Sequence, residues 1–275
     1  MKKAKVLYVS QEIVPFLPET TISQKSRLLP QLANENGREI RVFMPRYGCI
    51  NERRHQLHEV IRLSGMNLII NDTDHPLIIK VASIPSARIQ VYFIDNEEFF
   101  QRKCVHHDPE GKFLSDNDER SMFFCKGVLE TVKKLGWTPD IIHCHGWMTA
   151  SMPLYLKKLY HDDPHFVDTK VVFSAYNQDM SEGIDPNFTQ KFIFDGVEKK
   201  EMEKFSAADI ETFNKIGVQY ADGVIKGSDS YSEGFEKFLK EYEKPLLDYQ
   251  SQEDYFSAYN EFYDTILEEN SVLAQ

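Results

Sequence analysis

The sequence lacks the short glycine-rich and serine-containing motifs that identify many nucleotide-binding proteins and hydrolases. Its 13 glycines are dispersed, and they form neither G-x-G-x-x-G nor G-x-x-x-x-G-K-[ST]. Binding of a nucleotide through such a phosphate loop is therefore unsupported. The G-x-S-x-G turn that presents a nucleophilic serine is also missing, which removes the support for an α/β-hydrolase mechanism.

The chain also lacks paired cysteines and long apolar runs. Its four cysteines, at positions 49, 104, 125 and 144, are scattered and show no C-x-x-C spacing, as is usual in a reduced compartment. No apolar run approaches the roughly 18 residues that span a bilayer, and residues 6–10 are too short for the apolar part of a signal peptide. We therefore expect a cytoplasmic protein with a sizeable core, since 41% of its 275 residues are hydrophobic.

Basic charge is scarce, and the formal net charge is −11. An acidic protein is a poor generic binder of nucleic acids and anionic membranes, so we expect neither partner. Residues 231–275 hold eleven acidic residues and three lysines, together with ten Tyr or Phe residues. This aromatic content argues against simple disorder. We predict an α/β domain at 1–244 and an acidic, aromatic helical tail at 245–275, which packs on this domain or alternatively docks on a partner.

Strand and helix patterns alternate along the chain, as in a doubly wound α/β fold. We predict strands at residues 5–10, 39–44, 140–143, 170–176 and 223–225. We predict helices at residues 21–36, 116–135, 147–160, 209–220 and 230–243. Residues 66–70, 77–83 and 88–95 break the alternation and are typical of adjacent strands joined by turns. The expected fold is a Rossmann-like parallel sheet with an inserted β-ribbon and a C-terminal helical extension.

Polar residues follow three of the predicted strands, at the edge where ligands bind in open α/β sheets. The candidates for ligand contact at this edge are Glu12, His145, Trp147, Tyr176, Asn177 and Asp179. The carboxyl ends of parallel strands meet at one edge, so these side chains are expected to lie close together. Ordinary turns explain two of the strand ends about as well, because Asn, Asp and Pro favour turns. No residue is assigned a catalytic role.

Two histidine-containing segments raise the question of a metal site. His143 and His145 are two residues apart, which places them on one face of an extended strand. A zinc site needs at least one more converging ligand, and Cys144 points to the opposite face. Residues 104–108 contain two histidines, a cysteine and an aspartate, but no paired cluster at zinc spacing. We therefore expect no metal and no cofactor; the first two histidines could instead polarise a sugar hydroxyl or satisfy backbone groups.

Several of these segments together resemble the N-terminal domain of bacterial glycogen synthase and plant starch synthase, two-domain glycosyltransferases of family 5 with the GT-B fold. Residues 5–16, KVLYVSQEIVPF, resemble that family's first strand with its Ser-Glu-x-x-Pro. Residues 43–50, FMPRYGCI, resemble Met-Pro-Arg-Tyr-Gly-x-Ile, and residues 139–147, PDIIHCHGW, resemble Pro-Asp-Val-Val-His-x-His-Asp-Trp. Residues 214–231 resemble a helix, strand and loop near the end of that domain. The resemblance covers about residues 4–240, and it implies metal-free, retaining transfer of glucose from ADP-glucose to an α-1,4-glucan.

The departures from the family pattern fall where its sugar nucleotide binds. Where the family carries Lys-Thr-Gly-Gly-Leu, residues 18–22 of this chain are PETTI, so a lysine and two glycines are replaced. Side chains and a carboxylate at these positions oppose the close approach of a phosphate. The Asp of the family's His-Asp-Trp is Gly146 here, and the His of its Thr-Val-His-Asn is Tyr176. The chain is also too short for the second Rossmann-like domain of the family, which we expect to be absent.

The resemblance and its departures lead to three hypotheses about function. The first is a degenerate or incomplete synthase-like protein, a pseudoenzyme that binds glucan or a partner in glucan metabolism, because loss of one preorganised donor typically costs about 10²–10³ in rate. The second is one half of a working transferase, completed by a partner chain that supplies the nucleotide domain. The third is a protein-interaction module without a carbohydrate role, which the acidic aromatic tail favours. Any binding of an α-glucan or an ADP-glucose-type ligand is expected to be weak.

Overall fold

The computed structural model describes residues 4–251 and 255–273. Within these ranges the strands are β1 Val6–Ser10, β2 Ile40–Pro45, β3 His58–Glu59, β4 Met66–Ile70, β5 Thr73–Ile84, β6 Ile89–Asp95, β7 Ile141–His145, β8 Lys170–Ala175, β9 Gly223–Lys226 and β10 Leu246–Leu247. The helices are α1 Thr21–Glu35, α2 Glu52–His55, α3 Glu97–Phe100, α4 Asn117–Lys134, α5 Ser151–Lys158, α6 Phe188–Phe194, α7 Lys199–Met202, α8 Ile210–Tyr220, α9 Glu233–Lys240 and α10 Tyr255–Leu273. No helix of the described residues is long and apolar enough to cross a membrane.

One mixed sheet organises the fold, with the strand order β10-β9-β8-β7-β1-β2-β6-β5-β3. The strands from β10 to β6 in this order pair in parallel. The central strands β1, β7 and β8 are almost wholly buried, as expected for parallel strands covered on both faces. The structure therefore confirms the predicted doubly wound α/β architecture.

The inserted ribbon is antiparallel, and its last strand has two roles. β4 and β6 both pair antiparallel with β5, and β3 adds a short antiparallel pair on the outer edge. β6 also pairs in parallel with β2, so it belongs to the main sheet as well as to the ribbon. The sequence pattern identified the three strands but did not show that the third joins the main sheet.

The direction of chain travel changes at the centre of the sheet. From β1 the chain moves through α1 to β2 and then β6, whereas from β7 it moves the other way through α5 to β8. Right-handed crossovers place α1 on one face and the helices that follow β6, β7 and β8 on the other. The topological switch point therefore lies between β1 and β7, and this is where open α/β sheets bind ligands.

The segment after residue 244 adds both a strand and a helix. Leu246–Leu247 pairs in parallel with β9, so part of the segment predicted to be a helical tail is the last strand of the sheet. Tyr259 and Tyr263 of α10 are buried. A Cβ on Gly223 of β9 would lie 2.5 Å from Ile266 Cδ1, which shows how closely α10 approaches the sheet. The domain boundary at residue 244 stays a prediction.

Candidate functional site

The carboxyl ends of β1, β7 and β8 form the candidate site. Strand pairing places Ser10 opposite His145, and His145 opposite Ser174. The predicted ligand-contact residues follow these three strands and lie at the same edge of the sheet. They divide into one group around His145 and a second around His106.

Gln11 fills the space beside Gly146 at the switch point. Its side chain is fully buried; Nε2 donates to Gln178 Oε1 at 2.8 Å and Oε1 accepts from the Met148 N–H at 3.3 Å. Gly146 has φ +84° and ψ 166°, a combination that is essentially restricted to glycine. A Cβ on Gly146 would lie 2.5 Å from Gln11 Cδ. Sequence reasoning missed Gln11, because nothing in its local pattern shows that it points inward.

The two histidines of β7 are buried and bonded to neighbouring hydroxyls. His143 Nδ1 lies 2.6 Å from Tyr263 Oη, and its Nε2 lies 2.7 Å from Ser174 Oγ. His145 Nδ1 lies 3.1 Å from Tyr176 Oη, and the two imidazole rings are 3.9 Å apart. His145 and Tyr176, both predicted ligand contacts, are therefore each other's partners within the chain.

Both imidazoles are neutral at physiological pH. Burial lowers the pKa of His145 to about 3, and the nearby positive charge of Lys25 acts in the same direction. Burial likewise holds the pKa of His143 well below its usual range, with further contributions from His145 and Lys25. A neutral imidazole can donate or accept a hydrogen bond, but neither ring is accessible to a ligand in this conformation.

We expect stability to fall when the pH drops below about 6.5. Histidines of the unfolded chain titrate near this value, whereas His145 in the folded chain resists protonation down to about pH 3. The unfolded state therefore binds more protons in this window, and the free energy of unfolding falls as the pH falls.

Urea unfolding at pH 7.5, 6 and 5 measures this slope. His145→Gln should make the slope shallower by up to about 1.4 kcal/mol per pH unit. Thr265→Ala, an exposed change that removes no titrating group, should leave the slope unchanged. An equal slope in wild type and His145→Gln would contradict the assignment of a buried, neutral His145.

The second group of site residues surrounds His106. The His106 ring packs 4.7 Å from the Trp147 ring, its Nε2 lies 3.2 Å from Tyr47 Oη, and its Nδ1 lies 3.8 Å from Asp179 Oδ2. Burial lowers the pKa of His106 to about 4, so the ring is neutral. The sequence pattern raised His106 only as a candidate metal ligand, and its position between Trp147 and Asp179 depends on contacts distant in sequence.

The two carboxylates at this edge have opposite pKa shifts. Contact with His106 lowers the pKa of Asp179. Burial raises the pKa of Glu12, and the charge of Asp179 adds to this effect. Such a divided pair suits hydrogen bonding to a hydroxylated ligand, but Glu12 is only 7% exposed. Asn177 is exposed, and its backbone N–H donates to Ser228 Oγ at 2.9 Å.

The geometry gives no support for a metal centre. Within residues 4–251 and 255–273, no group of three or more His, Cys, Asp and Glu side chains converges to hold a metal ion. A cavity of about 410 Å³ lies instead between α1 and α10, and none of the six predicted ligand-contact residues lines it. Its lining residues are Val14, Glu19, Thr21, Gln24, Lys25, Arg27, Leu28, Leu32, Tyr255 and Phe256.

Comparison with known proteins gives a consistent family match. A family model described as the starch synthase catalytic domain matches residues 5–242. A glycogen synthase from Chlorobium limicola is 38% identical over 241 residues, covering 84% of this chain and 49% of the relative. A glycogen synthase from Chlorobium phaeobacteroides is 35% identical over 253 residues, covering 88% and 51%. The chain thus spans about half the length of the curated relatives that it matches.

A solved structure gives the same architecture. The catalytic domain of starch synthase IV from Arabidopsis thaliana, bound to ADP and acarbose, is similar with a TM-score of 0.72. The match covers 90% of this chain and 51% of that chain, at 17% sequence identity. At this identity the likeness supports the fold alone.

Proposed function

Because this chain belongs to the starch synthase catalytic-domain family, we propose that it serves glucan metabolism as a degenerate synthase-like protein. It keeps a surface for an acceptor glucan and does not by itself transfer glucose from ADP-glucose. The proposal rests on the side chains that replace the family's nucleotide-contacting residues and on the contacts that these side chains make.

The capped start of α1 is the observation that carries the proposal. Thr20 Oγ1 accepts a hydrogen bond from the Ser23 N–H at 3.0 Å, and Ser23 Oγ accepts one from the Thr20 N–H at 2.8 Å. A helix N-terminus binds phosphate through backbone N–H groups that have no other acceptor. Here the N–H groups of Thr20 and Ser23 already donate to side chains of the chain itself. Thr20 stands where the resembling family has a glycine, and Glu19 adds a neighbouring carboxylate.

The side chains at the carboxyl edge of the sheet also support the proposed loss of glucosyl transfer. Gln11 occupies the space beside Gly146, and the Tyr176 hydroxyl lies at hydrogen-bond distance from His145 Nδ1. A catalytic site needs donors aimed at the charge that develops in the transition state. Gln11 bonds to Gln178 and the Met148 N–H, and His145 Nε2 has no hydrogen-bond partner among the described residues. Because Gln11, His145 and Tyr176 are all buried, this arrangement favours binding at the outer rim over catalysis.

The direct test is glucosyl transfer and glucan binding by the purified chain. With ADP-glucose and glycogen, we expect no incorporation of labelled glucose above the blank and no saturable binding of ADP-glucose in calorimetry. In a native gel containing glycogen, we expect slower migration than in a gel without it. Glucose incorporation by the chain alone would refute the loss of activity, and unchanged migration would remove the glucan-binding part.

The exposed rim residue Asn177 gives the gel a sharper readout. Asn177→Ala should reduce the retardation by glycogen, because its amide is exposed at the edge where the acceptor would lie. Asn67→Ala, an equally exposed change on β4 of the ribbon, serves as the matched control and should migrate like wild type. Equal retardation of all three proteins would place the glucan surface elsewhere.

A second candidate function follows from the extent of the match. The similarity covers 49% and 51% of two glycogen synthases, and the second candidate is one half of a two-domain transferase that works together with a separate nucleotide domain. Adding candidate nucleotide-domain proteins to the transfer assay distinguishes this from the leading proposal. Of the aromatic residues in the acidic segment that suggested the third hypothesis, Tyr259 and Tyr263 are buried within the chain, which favours packing of α10 on its own domain.

A further inference from the structure

Lys25 of α1 is a buried cation without a hydrogen-bond acceptor. The residue is 3% exposed, and its Nζ has no hydrogen-bond partner among the described residues. Three tyrosine rings surround the ammonium, with centroids 5.1 Å away for Tyr249, 5.5 Å for Tyr255 and 5.8 Å for Tyr259. Cation–π contacts of this kind offset only part of the cost of burying a charge.

No described carboxylate neutralises Lys25. The groups that face it are the three phenol rings and the neutral imidazoles of His143 and His145, whose pKa values its charge helps to lower. Burial alone lowers the pKa of Lys25, to about 8. A buried ammonium in this state is stabilised by any anion that comes close to it.

The cavity between α1 and α10 adjoins this ammonium. Lys25 and Arg27 both line it. Arg27 Nη2 donates to Ser86 Oγ at 3.0 Å, whereas its Nε has no partner among the described residues. The acid in the wall is Glu19, which is exposed and accepts from Gln24 Nε2 at 3.2 Å. Two cations thus retain unused donors at one cavity of a chain whose net charge is −11.

The rest of the wall is apolar. Leu28, Leu32 and Phe256 line the cavity beside the two cations. Its volume of about 410 Å³ falls within the range of about 300–1,000 Å³ typical of small-molecule sites. The combination suits a ligand with a charged end and an apolar body.

We propose that this cavity binds a small organic anion, in which a phosphate or carboxylate group is attached to a ring or alkyl body. The anionic group contacts the Lys25 ammonium and the body packs on Leu28, Leu32 and Phe256, while Arg27 adds positive charge to the wall. The Lys25 ammonium turns from the tyrosine rings towards the anion by rotation about its side-chain torsions. The site is separate from the carboxyl edge of the sheet, so the proposal does not depend on glucan binding.

Calorimetry with phenyl phosphate as the probe tests the site. Phenyl phosphate should bind at least about tenfold more tightly than phenol, which lacks the charge, and than inorganic phosphate, which lacks the ring. Lys25→Met should weaken its binding by about tenfold or more, as for loss of a charge-assisted hydrogen bond. Lys200→Met, at an exposed site paired with Glu198, is the control and should bind like wild type.

Proton uptake by the wild-type protein provides a readout that does not depend on the variant. Near pH 8, Lys25 is about half protonated, and a bound anion raises its pKa, so binding should take up roughly half a proton. Titration in two buffers of different ionisation enthalpy measures this uptake. Equal affinity of Lys25→Met and wild type, no proton uptake, or no binding of phenyl phosphate at millimolar concentration would each overturn the proposal.

Discussion

Replacing Gly146 with aspartate, the residue that the resembling family carries there, is expected to destabilise the fold by about 2–6 kcal/mol. The backbone at Gly146 has φ +84° and ψ 166°, and a side chain in this region costs about 1–3 kcal/mol. The added Cβ would also collide with Gln11, and overpacking of a buried site costs typically about 1–3 kcal/mol more. Urea unfolding of the variant measures the loss. A variant within about 0.5 kcal/mol of wild type would contradict this geometry.

Two further variants separate strain from collision. Gly111 has a similar φ of +82°, and nothing lies within 4 Å of an added Cβ. Gly111→Ala should therefore lose only the stability that a side chain at positive φ costs. Gln11→Ala combined with Gly146→Ala should recover part of the loss seen in Gly146→Ala, because it removes the atoms that collide. Strict additivity of the two single changes would show that Gln11 and Gly146 do not interact.

Removing the Tyr263 side chain is expected to destabilise the protein by about 3–5 kcal/mol, as for other large aromatic truncations in a core. Tyr263 is 1% exposed, and its hydroxyl lies 2.6 Å from His143 Nδ1. Tyr263→Ala therefore opens a cavity and leaves a fully buried imidazole nitrogen without its partner. Tyr263→Phe should lose only the hydrogen bond, at about 1–3 kcal/mol.

A neighbouring position on the same helix provides the control for this experiment. Thr265 is exposed, and its hydroxyl donates to the backbone carbonyl of Glu261. Thr265→Ala should change stability by less than about 0.5 kcal/mol. If Tyr263→Ala were as mild as Thr265→Ala, α10 would not be docked on β7 in solution.

Patterns that depend on nearest neighbours were predictable from the sequence. The apolar run at residues 5–10 and the apolar strand ending at His143 gave the central strands, because buried parallel strands are continuously hydrophobic. The polar residues after those strands were expected at one edge of the sheet, and they lie there because parallel strands end together. The family resemblance added the order of the segments and agrees with the family match over residues 5–242.

The contacts that define the site were not predictable, because their partners are far apart along the chain. Thr20 caps α1 with Ser23, although the usual capping-box partner is Glu or Gln. Gln11 points inward only because Gly146 leaves room for it. Nothing in the sequence around Lys25 distinguishes it from other lysines on helices, and its tyrosine neighbours lie more than 220 residues later in the sequence. Tertiary packing decides each of these cases.

The docking of α10 has a consequence for biosynthesis. His143 and Tyr263 are 120 positions apart, so this face of the sheet is completed only after the ribosome has released residues beyond 263. A nascent chain that has emerged only as far as residue 250 leaves the buried imidazoles and the tyrosine-facing side of α1 open to solvent. Exposed apolar surface of this kind is what chaperones capture during synthesis. Docking of α10 on the sheet therefore has to wait until the residues up to Tyr263 have emerged.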